Sequence, residues 1–280
     1  MKKYNVIILA GGEEEAWCQH YGFNKKSFLP IMGKPMLARV IEAFHGSKFI
    51  DNIVVIGPKG LNQLDSIRLA RKHLSERNSF AQNLFFAALY IKAMIYRFAG
   101  DHNGYVVSFC DAALLTTGVI DATLKNIAES DPEIALHYVQ KETISRAGHP
   151  VENRSFMLVA GKHYTGSVIY YIKSFTKLLR LLNEISLVRK YRKEPGKILQ
   201  YIGCEDKDIP GIESELSSRL STKVKVFVSP YAEMGVDVDK ASDYELAKAY
   251  LQRKQRQYAE SKHKKGFDVY TESGGLDAEF

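Results

Sequence analysis

The stretch VIILAGGEEEAWCQHYGFNKKSFLPIMGKP, Val6 to Pro35, decides how the chain is read. It opens on a short apolar run, Val6 to Ala10, that meets Gly11-Gly12 directly. That is the pattern of a fully buried strand ending in a tight turn. A polar segment follows, then Lys25-Lys26, then an apolar run closed by Gly33-Lys34-Pro35. Two explanations compete. Glycines let backbone N–H groups approach a phosphate, and a lysine one loop later supplies the counter-charge. A glycine pair after a strand is also an ordinary βα turn, and most lysines are solvated.

Outward from this segment, strand and helix patterns alternate. Tyr4 to Ala10, Asn52 to Ile56, Tyr105 to Phe109 and Glu133 to Val139 read as strands. Met36 to Phe44, Asn83 to Phe98 and Thr117 to Ala128 read as helices. The alternation predicts an α/β fold, Rossmann-like and doubly wound, with a mostly parallel sheet and helices on both faces. Such sheets bind ligands beyond the carboxyl ends of their strands, and Gly11 and Asp111 both fall at such ends. In the second half, Met157 to Ala160, Ser167 to Tyr171 and Val224 to Val228 read as strands. Ser174 to Tyr191 reads as a long amphipathic helix, followed by helices at Lys197 to Ile202, Ile212 to Leu220 and Ser242 to Gln252.

The 280 residues carry 45% hydrophobic and 25% charged side chains, ordinary for a globular chain with ample core. The formal charge of +7 suits an anionic partner and selects none. The basic residues are spread along the chain without an RNA-binding motif, so nucleic acid is not an expected partner. Arg189, Lys190, Arg192 and Lys193 read as a solvated helix end, with a phosphorylated ligand or an anionic surface as the other choice. Cys18, Cys110 and Cys204 are scattered and form no CxxC pair, which points to a reducing cytoplasm. No apolar run approaches the length of a membrane span.

Three segments carry a resemblance. The first is LAGG at Leu9 to Gly12, with Lys26 four residues before Pro30 and then Gly33-Lys34-Pro35. The second is SFCDAALLT, Ser108 to Thr116, with Asp111 at the end of a strand. The third is GVDVDKASDYELAKAYL, Gly235 to Leu251, with Asp239. In order and spacing they resemble the nucleotidyltransferase superfamily, in particular its MobA-like branch. That branch includes the molybdenum-cofactor guanylyltransferases and the sugar-1-phosphate nucleotidyltransferases.

The resemblance implies a glycosyltransferase-A-like nucleotidyltransferase fold. It implies one domain over residues 1–252, with a nucleotide-binding half (1–150) and an acceptor-binding half (151–252). A helical insertion falls at about 174–220, and a charged, partly flexible tail spans 253–280. The implied reaction moves an NMP group from an NTP to a phosphorylated small-molecule acceptor and releases pyrophosphate. Lys26 and Asp111 would be catalytic. Leu9, Ala10, Gly11, Gly12, Lys26 and Asn83 would bind the nucleotide, Asp111 and Asp239 would hold Mg²⁺, and Thr165 and Gly166 would meet the acceptor. An oligomer is compatible with the long amphipathic helix. The chain departs from the family pattern in two places. Glu13, Glu14 and Glu15 follow the glycine pair where the family carries a further glycine and an arginine, and Ala113 stands where it has proline. The acidic loop supports an alternative: a catalytically degenerate nucleotide-binding or regulatory protein on the same fold.

Overall fold

The computed structural model describes residues 1–97, 103–152, 154–191 and 194–272. β1 (Tyr4–Leu9) is buried along its whole length. Its side chains alternate between two cores: Val6 and Ile8 face one, Ile7 and Leu9 the other. After it come the single turn α1 (Ala16–Gln19) and a small hairpin of β2 (Pro30–Ile31) and β3 (Lys34–Pro35). α2 (Met36–His45) follows Pro35 and buries Met36, Leu37, Val40, Ile41 and Phe44, the i, i+4 stripe of a core-facing helix. Next are β4 (Ile50–Gly57), β5 (Lys72–Ser75), α3 (Phe80–Tyr90) and β6 (Tyr105–Phe109). The middle of the chain forms α4 (Thr117–Ser130), β7 (Ile134–Gln140), α5 (Lys141–Arg146), β8 (Met157–Val159), β9 (Lys162–Gly166) and β10 (Tyr170–Ile172). Three helices, α6 (Phe175–Lys190), α7 (Pro195–Ile202) and α8 (Ile209–Arg219), precede β11 (Val224–Ser229), and α9 (Ala241–Glu272) closes the described chain.

One sheet runs β5-β4-β1-β6-β10-β7-β9-β8, with β11 paired to β7. Pairings β1–β4, β1–β6, β4–β5 and β7–β11 are parallel; those of β8, β9 and β10 are antiparallel. Residues of α2, α4 and α9 pack into one face and residues of α3, α6, α7 and α8 into the other. The doubly wound expectation therefore holds. Because β1, β4, β5 and β6 are parallel, their carboxyl ends share one edge. There Ala10 N–H donates to the Ile56 carbonyl (2.8 Å) and Cys110 N–H to that of Leu9 (3.1 Å).

Several boundaries differ from the sequence reading, each for a local reason. The helix read as Asn83 to Phe98 begins at Phe80, because the Ser79 hydroxyl caps it by accepting from Gln82 N–H. It changes to a π-turn at Ile91–Ile95, and Phe98 lies outside the described residues. Of the strand read over Ser167 to Tyr171 only Tyr170 and Tyr171 pair, in β10, and the unread strand β9 ends just before it at Gly166. Ala160 (φ 46°) and Gly161 (φ 75°) turn β8 tightly into β9, as a two-residue hairpin with both φ positive does. Ser167 and Val168 then leave the ladder, Val168 N–H donating to the Met234 carbonyl. The last helix, read as ending at Gln252, runs to Glu272. No helix among the described residues is long and apolar enough to cross a membrane.

Two buried histidines give the fold a measurable acid limit. His137 on β7 stacks on Phe227 at 5.1 Å, and burial lowers its pKa to about 4. His149, pushed down to about 4 by burial and the Arg154 charge, behaves alike. An unfolded histidine takes its proton near pH ~6.5. Between that pH and about 4 the unfolded chain thus binds more protons, and stability falls as the pH falls. His137→Phe should show a smaller drop in Tm than wild type over this window. Equal drops would remove His137 as a cause.

Candidate active site

The site is built where the parallel strands end. Asp111 follows β6, and its carbonyl accepts from Val238 N–H at 3.1 Å, which brings the segment before α9 to the sheet edge. Gly12 (φ 142°) adopts a backbone conformation that other residues avoid. From there the loop folds back: Glu15 N–H donates to the Asn24 carbonyl, and Trp17 and Tyr21 pack on Tyr244 of α9 at 6.2 and 4.8 Å. The Tyr21 hydroxyl donates to Glu245 (3.0 Å) and that of Tyr244 to the Pro30 carbonyl (2.7 Å). These contacts deliver Lys25 and Lys26 to the strand ends.

Lys26 Nζ lies 2.8 Å from Asp111 Oδ2, 2.5 Å from Asp239 Oδ1 and 3.7 Å from Glu15 Oε1. Burial alone would lower the Lys26 pKa. The pull of Asp111 and Asp239 outweighs it, so the ammonium is held charged well above the ordinary lysine range. Asp237 stands in the same group. Burial and the charges of Asp239 and Asp111 raise its pKa to about 6. Arg154 opposes this shift. Its Nη1 donates to Asp237 Oδ1 (3.0 Å) and the Gly235 carbonyl (3.2 Å), and its Nη2 donates to the Asp237 carbonyl (3.2 Å).

Four aspartates, Asp111, Asp237, Asp239 and Asp243, thus meet two cations, Lys26 and Arg154, which leaves an excess of negative charge. No group of three or more His, Cys, Asp or Glu side chains forms a ready cage for a metal among the described residues. Mg²⁺ favours a few carboxylates plus phosphates over a closed protein cage, and here it would have to share two carboxylates with the Lys26 ammonium. Asp111 and Asp239 are the pair that fit.

The acidic loop does not crowd these groups uniformly. Glu13 and Glu14 point to solvent, Glu14 accepting from Asn24 at 3.4 Å. Glu15 accepts from the Trp17 indole N–H. Lys25 turns away from Lys26 and donates to Glu76 Oε1 and the Gly12 carbonyl, both at 2.7 Å.

Of the residues implied by the resemblance, Leu9, Ala10, Gly11, Gly12, Lys26, Asp111 and Asp239 gather at this edge. The backbones of Leu9 and Ala10 are committed to the sheet. Asn83 accepts from Arg77 N–H (2.6 Å) and shapes the turn before α3. Thr165 and Gly166 sit on β9 opposite Val139 and Tyr138. With β10 and β7 between them and β6, they stand about 14 Å away across the sheet, three strand spacings. Sequence reasoning missed Glu76, Arg154 and Asp237 as site residues. Glu76 follows a strand too polar to be read, and Arg154 sits in VENRSF without a motif.

A family model for the MobA-like NTP transferase domain matches residues 6–190, which include Gly11, Gly12, Lys26 and Asp111. The chain belongs to this family. It is a nucleotidyltransferase. Asp239 and Asp237 of this NTP transferase lie beyond the matched span and join the site through the Lys26 and Arg154 contacts. No curated protein matches the chain. Among solved structures, a hypothetical transferase from Thermus thermophilus is similar, with TM-score 0.67, 22% identity, and coverage of 86% of this chain and 99% of that one. A CMP:2-keto-3-deoxy-manno-octonic acid synthetase complexed with CTP aligns with TM-score 0.53 and 14% identity, covering 91% and 100%. The 4-diphosphocytidyl-2C-methyl-D-erythritol synthase from Anaerococcus prevotii DSM 20548 aligns with TM-score 0.54 and 13% identity, covering 90% and 96%. At these identities the likeness is one of fold.

Arg154 is the counter-charge that lets Asp237 sit beside two other aspartates. Arg154→Met should lower unfolding free energy by about 1–3 kcal/mol, the range for charge-assisted hydrogen bonds. Adding Asp237→Asn should restore part of it, because the uncompensated charge is then gone. Denaturant titration of the two singles and the double decides. Additive losses would break the assignment.

Proposed function

We propose that the protein transfers an NMP group from an NTP to a phosphorylated small-molecule acceptor, with Mg²⁺, and releases pyrophosphate. The observation that carries this reading is the Lys26 ammonium seated between Asp111 and Asp239 at the carboxyl ends of parallel strands. In the reaction an acceptor phosphate oxygen forms a bond to the α-phosphorus. The bond from that phosphorus to the bridging oxygen of the β-phosphate breaks, and pyrophosphate leaves with the electron pair. Charge gathers on the leaving group, so the site must neutralise it and hold the reactants in line.

Lys26 is suited to the first task. Its ammonium is largely withdrawn from water and held charged by Asp111 and Asp239, so a phosphate oxygen that displaces one of these carboxylates meets a cation already in place. Gly12 N–H can approach phosphate because no side chain intervenes. Asp111 and Asp239 would hold Mg²⁺, which supplies Lewis-acid neutralisation of phosphate oxygens when bound. Arg154 keeps the segment carrying Asp237 and Asp239 against the strand ends.

The test is the thermal shift of the protein with CTP, GTP, ATP and UTP, with and without Mg²⁺, followed by pyrophosphate release with phosphorylated acceptors. CTP comes first because one fold neighbour carries it. One NTP should raise Tm only with Mg²⁺, and Asp111→Ala should abolish both shift and turnover. Lys26→Met should lower kcat by about 10²–10³, the usual cost of losing one electrostatic donor. It should also make Mg²⁺ alone stabilise the variant more than wild type, because the cation then relieves two unpaired aspartates. A nucleotide shift without pyrophosphate release would favour the catalytically silent alternative. No shift with any NTP would end the transferase reading.

A further inference from the structure

The glycine pair already carries an anion, and that anion belongs to the chain. Glu76 lies just beyond β5, and its N–H donates to the Gly57 carbonyl at 3.0 Å, which fixes its backbone beside the end of β4. From there its side chain crosses Gly11-Gly12. Oε2 accepts from Gly12 N–H at 3.0 Å, and Oε1 accepts from Lys25 Nζ at 2.7 Å. The approach to Gly11 is so close that a Cβ there would stand 2.3 Å from Glu76 Oε2. A backbone N–H and an ammonium converging on one carboxylate form an anion seat, and the missing Gly11 side chain leaves it room. The seat is open to exchange: the Lys25 and Glu76 side chains are 19% and 27% exposed.

We propose that Glu76 is an internal substitute for a phosphate group: it fills the Gly12–Lys25 seat in the free protein and yields it to a phosphate of the bound nucleotide. The proposal deepens the transferase reading and rests on it for the identity of the ligand. Its consequence is selectivity. A ligand that needs the seat binds with an affinity reduced by the fraction of time the seat is free. A monophosphate offers little to offset the lost Lys25–Glu76 and Gly12–Glu76 contacts. A polyphosphate that also reaches Lys26 gains a second cation and displaces the carboxylate. Glu76 thus discriminates by the number of phosphates a ligand carries.

The sign of one effect separates this from a plain structural tie. If Glu76 only braces the loop, its removal loosens the seat and weakens anion binding. If it competes for the seat, its removal strengthens binding. Calorimetric titration of the full chain with inorganic tripolyphosphate, then with the four NTPs and Mg²⁺, reads this directly. Glu76→Gln and Glu76→Ala should both bind tripolyphosphate about tenfold tighter than wild type, the order expected when one charge-assisted competitor is removed. Glu76→Asp, which keeps the charge, serves as the folding control. In a Lys25→Gln background the gain from Glu76→Gln should disappear. Phosphate as a single ion should gain more from Glu76→Gln than tripolyphosphate does, which narrows the preference. Unchanged or weaker binding in both Glu76 variants overturns the proposal, as does failure of all of them to bind tripolyphosphate. Pyrophosphate release on the same proteins keeps the two readings apart. Tighter binding without turnover in any protein sustains the Glu76 role and sinks the transfer reaction. Turnover with unaltered binding does the reverse.

Discussion

One ammonium group organises the molecule's working edge. Lys26 comes from a loop near the start of the chain, Asp111 from the end of β6, and Asp239 from the segment before α9. Taking any one of these charges out of water alone would be costly, since a partly buried ion needs its partner and further hydrogen bonds. Together they satisfy one another, while the sheet fixes where each begins. Asp111 cannot drift, because its carbonyl is tied to Val238. The loop cannot drift, because Trp17 and Tyr21 lean on Tyr244.

Two adjacent lysines do different work there. Lys26 faces inward to two aspartates, and Lys25 faces the glycine pair and Glu76. The result is two neighbouring cation seats, each already matched by carboxylates of the chain. The free protein therefore already pairs each lysine with its own carboxylates at a place built for polyanions. This also gives the acidic loop a milder meaning than its composition suggests. Glu13 and Glu14 turn to water, and only Glu15 stays near Lys26. The missing arginine leaves Lys25 as the second cation at the glycine pair.

What was legible in the sequence was what local physics encodes. β1 shows itself because it is buried on both faces and stops at glycine. Asp111 and Asp239 sit at the edges of recognisable segments, and the spacing of Lys26 from the glycine pair is fixed by the loop. Glu76 and Arg154 left no trace, because each acts through a partner far away in sequence: Gly12 for one, Gly235 and Asp237 for the other. β5 was hidden because it is an edge strand of polar residues with nothing to alternate. β9 was hidden behind a turn at Ala160-Gly161 that carries only one glycine. Thr165 and Gly166 lie within β9 itself, and burial pattern does not reveal which strand of a sheet a residue joins.

The Lys26–Asp239 pairing spans 213 residues of chain. Contacts of such high sequence separation form late, because the chain entropy of closing them must be lost before they give anything back. β1, β4 and β6 supply the strand ends and Asp111, but Asp239 arrives only with the segment before α9. Without that segment the edge they share is an unfinished surface, with an unshielded lysine and an aspartate. Chemistry becomes possible only once the last third of the chain has threaded back to the first. Competence at this site is thus a property of the completed topology, so loosening α9 against the Gly12 loop would abolish turnover while most of the sheet stayed intact.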